Sequence, residues 1–232
     1  MGRLKALFLK DVRLSLSWFL TNVGIILLFN GIALYNAIKG NDIALLFLGM
    51  MVVGLLIWSV FAGIATYFSE RDGRLYEFIN TLPVSRHTVL VSKALWLCLQ
   101  ALIYVALFVA GVILVVKLGK LNIVEGPMSF QLGLMGTLNF YLRITTMLLV
   151  GLFSAALVKD IPFKWLMAVI MLFVIVWILG WVDTLINPNI RNLSLESADR
   201  LLKVQTLAEG LKFAGAWLLV GLGGLWIERR GY

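Results

Sequence analysis

The chain has one cysteine, Cys98, and one histidine, His87. A single thiol excludes an internal disulfide and any metal site built on several cysteines, and Cys98, set inside an apolar run, reads as a small buried or lipid-facing side chain. A lone histidine excludes H-E-x-x-H, and no G-x-S-x-G is present, so the common constellations for intramembrane hydrolysis are missing. His87 reads as a solvated loop residue. There is also no G-x-x-x-x-G-K-[ST] phosphate loop: Gly119-Lys120 is followed by Leu121. The chain therefore does not hydrolyse ATP by that chemistry, and nothing marks it as an enzyme. Acidic residues are few, 12 against 20 Lys and Arg, for a formal charge of +8. On a soluble protein such a charge would raise nucleic acid as a partner. Here the cations lie between apolar runs, which points to topology and anionic headgroups instead.

What is abundant is apolar sequence. The hydrophobic share is 61% and the mean hydropathy +0.97, well above a soluble domain. Runs of about 20 residues with few charges read as spanning helices, which satisfy their own backbone groups where no water is available. The runs are continuous rather than alternating, against a barrel. The expected fold is one all-α membrane domain, residues 1–232. Its six spans are Trp18–Ile38, Ile43–Tyr67, Ala94–Val116, Ser129–Val158, Trp165–Ile186 and Leu211–Ile227. The fourth exceeds what a bilayer requires, implying tilt, a break or a protruding end.

Before the first span, Arg3–Ser17 is amphipathic. Leu4, Leu7, Phe8 and Val12 recur at helical spacing among Arg3, Lys5, Lys10 and Arg13, as in a helix lying in the interface plane. A signal peptide fits less well, since no small-residue cleavage site follows. Lys39-Gly40-Asn41-Asp42 reads as a tight turn. With the N-terminus inside, the inner segments hold twelve Lys and Arg and the outer segments seven, placing both termini in the cytoplasm. The outer loop 187–210 opens on the turn signal Asn187-Pro188-Asn189. It continues as an amphipathic stretch from Leu195 to Glu209, either a helix on or in the outer leaflet or a plain solvated loop helix.

One polar loop stands apart, Ser69–Lys93. Leu75, Phe78, Ile79 and Leu82 form one helical stripe, with Arg71, Arg74 and Glu77 off it. Pro83 ends that helix, and Ser85 is placed to cap the next. Such a stripe either rests on headgroups or its own bundle, or faces a partner groove. The residues Glu70, Arg71, Gly73, Glu77, Leu82-Pro83-Val84-Ser85-Arg86 and Lys93 resemble the permease subunits of type-2 ATP-binding-cassette exporters. Ser92 stands where that pattern usually has Gly. The six spans, the amphipathic start and the long last outer loop fit the same family. The resemblance implies a plasma-membrane protein of prokaryotic type that forms the substrate pathway as a dimer with a second copy or a related permease. It implies that Glu70, Arg71, Arg74, Leu75, Glu77, Phe78, Leu82, Pro83 and Arg86 couple to a separate cytoplasmic ATPase. That partner would carry the ATP and magnesium, with no cofactor on this chain. The implied cargo is an amphipathic peptide, a drug or a lipid-like molecule. The other classes are an intramembrane enzyme and a passive channel or anchor.

Within the spans, Arg143 is the outlier, sharing a helical stretch with Asn139 and Thr146. A charge at membrane depth costs about 2.5–3.5 kcal/mol and faces a partner or a wet cavity. Arg143 reads as a pathway or gating residue, as half of a structural pair, or as a sign that the helix breaks there. Asp183 is a counter-charge only if Arg143 lies high in the membrane. Asn22 and Asn30 are placed to bond across helices, and Ser59/Gly63 and Gly151/Ala155 have spacing that permits close helix approach.

Overall fold

A computed structural model describes residues 2–41, 43–71, 85–118, 127–158, 161, 163–186 and 195–229. Within them, the side chains of 2, 3, 70, 71, 127–132, 182–186, 195–201 and 227–229 are not part of the description. The described residues form six helices: α1 Gly2–Ile38, α2 Ile43–Arg71, α3 Arg86–Leu118, α4 Pro127–Leu157, α5 Lys164–Ile186 and α6 Leu195–Arg229. The chain is all-α, and α1 to α5 are long and apolar enough to cross a membrane.

The helix ends follow local rules. α1 stops in a Schellman motif: Gly40 adopts φ 73°, its N–H donates to Ala37 O at 3.0 Å, and Asn41 N–H donates to Asn36 O at 3.0 Å. Glycine takes that left-handed conformation without a Cβ penalty. α3 begins at the expected cap, where Thr88 N–H donates to Ser85 Oγ at 3.2 Å and the two hydroxyls lie 2.7 Å apart. α4 begins on Pro127, whose fixed φ and missing N–H suit the first helical position.

Two expected boundaries are absent. The stretch Arg3–Ser17 and the span Trp18–Ile38 are one unbroken helix, not an interfacial helix followed by a turn. No Gly or Pro occurs between Arg3 and Val23, and a change of polarity alone does not break a helix. α1 is consequently about 55 Å long at 1.5 Å per residue, far beyond the roughly 30 Å hydrocarbon core. Likewise the amphipathic 195–210 stretch is no separate outer helix; it runs through Gly210 into the 211–227 segment as α6. One Gly within a helical pattern is tolerated at about 1 kcal/mol.

α4 is the centre of the bundle. It packs against α2, α3, α5 and α6, while α1 packs against α2 and α3. Its apolar window is 67% buried, against 6% for that of α1. The approach of α2 to α4 is set by glycine. A Cβ on Gly63 would fall on the Leu148 carbonyl oxygen, and one on Gly151 would lie 3.4 Å from Val60 O and 3.6 Å from Gly63 Cα. Ser59 and Ala155, the other members of the two small-residue pairs, are fully buried. Both pairs thus meet in one α2–α4 contact, as small residues do where backbones pack without a hydrophobic drive. The bundle's outer surface is apolar: Leu28, Phe61, Phe173, Trp177 and Trp181 are all exposed. Such a surface would be an aggregation liability in water and is natural against lipid.

One end of the bundle gathers the start of α1, the end of α2, the start of α3, the start of α5 and the end of α6. Phe68 of α2 lies 5.0 Å from Trp165 of α5 between ring centroids. His87 of α3 sits so close to α6 that a Cβ on Gly224 would lie 2.7 Å from its Cδ2. His87 is therefore no solvated loop residue; it stands in the first turn of α3, half-buried on α6.

Gly63→Leu is expected to destabilise the bundle by at least about 1–3 kcal/mol, the usual range for overpacking. Gly49→Leu, where nothing lies within 4 Å of a built Cβ, should be near neutral. Thermal unfolding of the purified chain in detergent reads the difference.

Candidate functional site

Two polar clusters interrupt the apolar interior. The first lies at the gathered end, where the 69–93 loop is anchored. Asp11 of α1 is 5% exposed, Ser92 of α3 is fully buried and Lys93 is 4% exposed. Ser92 Oγ donates to Asp11 Oδ2 at 2.5 Å, and Lys93 Nζ lies 3.9 Å from Asp11 Oδ1. Lys93 Nζ also donates to Thr66 O of α2 at 3.4 Å, and Lys10 Nζ lies 3.4 Å from Asp11 Oδ1. One turn on, Trp96 Nε1 donates to Ser15 Oγ at 2.5 Å, and Ser15 Oγ donates to Asp11 O at 2.8 Å. Asp11 thus ties α3 to α1, and Lys93 links that contact to α2. The sequence marked Ser92 and Lys93 but not Asp11, whose charge looked like one more polar residue of a surface helix. A signal was present: Asp11 is the lone acid among Arg3, Lys5, Lys10 and Arg13.

Of the proposed coupling residues, Arg86 opens α3. Glu70 and Arg71 end α2, with side chains outside the description. Arg74, Leu75, Glu77, Phe78, Leu82 and Pro83 lie outside the described residues.

The second cluster lies midway along α4. Arg143 is continuous helix, so the expected alternative of a break there does not hold. Arg143 Nη2 donates to Glu209 Oε1 of α6 at 3.2 Å, and Lys212 Nζ donates to the same oxygen at 3.1 Å. Glu209 and Lys212 are buried, while the Arg143 side chain is 51% exposed. Among the described side chains the counter-charge is Glu209; the side chain of Asp183 is outside the description. Glu209 was missed because the sequence placed it in an outer loop. Once α6 runs unbroken from Leu195, Glu209 and Lys212 stand one turn apart inside the bundle.

These residues line a cleft of about 300 Å³ between α4, α5 and α6. Thr146, one turn from Arg143, lines it too. Its hydroxyl is buried without a hydrogen-bond partner, whereas the Thr145 hydroxyl donates to Tyr141 O at 2.8 Å. Of the three residues assigned to a pathway, Arg143 and Thr146 share this cleft and Asn139 does not. Asn30 does bond across helices, its Nδ2 donating to Leu107 O at 3.0 Å. Asn22 of α1 is likewise in hydrogen-bond contact with the Tyr104 side chain of α3, and the two line a separate apolar cavity with Trp58.

Comparison with protein-family models, with curated proteins and with solved structures finds no match.

Removing one member of a buried ion pair costs about 3–5 kcal/mol, because the partner charge is left uncompensated. Asp11→Ala should therefore lower the melting temperature in detergent by several degrees, and Asp11→Ala with Lys93→Met should recover part of the loss. Equal stability of wild type and Asp11→Ala would show that this tie contributes nothing.

Proposed function

We propose that this chain is the membrane-spanning permease subunit of an ATP-driven exporter in the plasma membrane of a prokaryotic cell. It works as a dimer and couples through residues 69–93 to a separate cytoplasmic ATPase. In this reading α6 supplies the sixth span through Leu211–Ile227. The gathered end of the bundle is cytoplasmic, and so are both termini. The N-terminal turns of α1 stand at the inner interface, where their cations meet anionic headgroups.

The observation that carries the reading is the construction of the 69–93 segment. Its exporter-like sequence, Glu70-Arg71, Gly73, Glu77 and Leu82-Pro83-Val84-Ser85-Arg86, joins the end of α2 to the start of α3, and Asp11 and Lys93 tie these helices to α1 and to each other. A force applied to the loop would reach three helices at once. Motor chemistry is left to the partner, because the chain has no phosphate-binding loop. The cleft at Arg143 forms part of the pathway wall. An arginine at membrane depth that is half exposed fits a surface facing a cavity or a partner subunit rather than lipid.

The ATPase encoded beside this chain should co-purify with it. Phe78→Asp, which puts a charge into the apolar stripe, should weaken that complex by about 2 kcal/mol or more, roughly 30-fold, as for a central interface anchor. Stimulated ATP hydrolysis should fall with it. A complex that survives the substitution with undiminished hydrolysis would remove the docking role.

A further inference from the structure

We propose that the cleft between α4, α5 and α6 binds the anionic headgroup of an amphiphile, a phosphate or carboxylate carried on an apolar tail. This deepens the exporter reading: the headgroup site becomes the cargo's recognition point, and that consequence rests on the chain being an exporter subunit. The binding itself does not.

The charges point inward and are shared. Arg143 and Lys212 address one oxygen, Glu209 Oε1. Lys212 makes a further contact of its own. Among the described residues, Arg143 bonds through Nη2 to Glu209 and to nothing else. A guanidinium has five N–H donors in a fixed fork that matches phosphate and carboxylate oxygens. Most of that fork is therefore unspent, on a side chain 51% exposed that lines the cleft.

Thr146 supplies an independent sign. The residue is 5% exposed, and its hydroxyl has no partner. A buried hydroxyl without a hydrogen bond costs about 1–3 kcal/mol, and a threonine in a helix has a carbonyl one turn back within reach, as Thr145 demonstrates. An acceptor oxygen in the cleft would satisfy Thr146 and the open side of Arg143 together.

The rest of the wall suits a tail. Met147, Val176 and Leu179 are apolar, and Gly180 leaves its part of α5 open, with nothing within 4 Å of a built Cβ. About 300 Å³ accommodates a headgroup with the first few carbons, at the small end of ligand sites. Glu209 sets the selection. It keeps the cations compensated while the cleft is empty and would compete with an entering anion for them. A cationic amphiphile gains nothing from Arg143 and is repelled.

The full chain, purified in dodecyl maltoside without any ATPase, is titrated with dodecyl phosphate by calorimetry. The detergent carries the same tail without the charge, so tail burial cancels. Saturable binding is expected, at least tenfold weaker in Arg143→Gln and about threefold weaker in the near-isosteric Thr146→Val. Thr146→Val carries the test should Arg143→Gln not fold. Inorganic phosphate at millimolar concentration should fail to compete. No saturable binding by the wild type, wild-type affinity in either variant, or competition by inorganic phosphate as strong as by dodecyl phosphate would overturn the proposal. Because no ATPase is present, a chain that binds the amphiphile but no ATPase would reject the exporter reading and leave the site standing.

Discussion

The setting of Arg143 depends on how closely α2 and α4 approach. Gly63 and Gly151 face one another with no side chain between the backbones. In lipid the tails are as apolar as leucine, so helices associate through close van der Waals packing rather than through exclusion of water. The glycine contact makes α4 the central helix, and a central α4 presents Arg143 to α6 instead of to lipid. A side chain on Gly63 would push α4 outward and carry the arginine toward a solvent that cannot hold it.

The two polar clusters answer the same problem differently. Asp11, Ser92 and Lys93 are nearly sealed, and each finds partners within the chain. A sealed cluster of paired charges fixes register, the best-attested use of buried ionic groups. Arg143, Glu209 and Lys212 form an open arrangement: one acid serves two bases, the arginine is half exposed, and a neighbouring hydroxyl is idle. A sealed cluster holds a fold, whereas polar groups that open onto a cleft leave room for something to enter it. This contrast separates the structural cluster from the candidate site more firmly than charge content does, since both clusters contain buried ion pairs.

Much of the fold was legible because its signals are local. The Gly40 turn, the Ser85 cap and the small-residue pairs each rest on a few adjacent residues. Arg143 was legible as an anomaly, since a cation within an apolar run demands an explanation from sequence alone. Its partner was not. Glu209 precedes the apolar run in a stretch of mixed charge, and hydropathy assigns such a stretch to a loop. Only the continuity of α6, a cooperative property of the whole helix, draws it inside. Asp11 was hidden in the same way by the continuity of α1. Amphipathic stretches next to spans are where window-based boundaries fail, because backbone propensity carries the helix across a change of polarity.

That continuity bears on how the two ends of the molecule communicate in the exporter reading. His87, in the first turn of α3 and within the 69–93 segment, rests directly on Gly224 of α6. Glu209 lies fifteen residues up the same helix, about 22 Å away at 1.5 Å per residue. No Pro lies between Leu195 and Arg229 to kink α6. A continuous helix pushed sideways at Gly224 carries part of that displacement to Glu209. The Arg143–Glu209 contact is the point where such a movement meets the central α4, which the glycine contact with α2 holds in place. Release of that ion pair would free Arg143 toward the cleft, so the same motion would alter the affinity of the proposed site for an anion. Had α6 been two helices joined at Gly210, Glu209 would lie on a different helix from Gly224 and from Lys212.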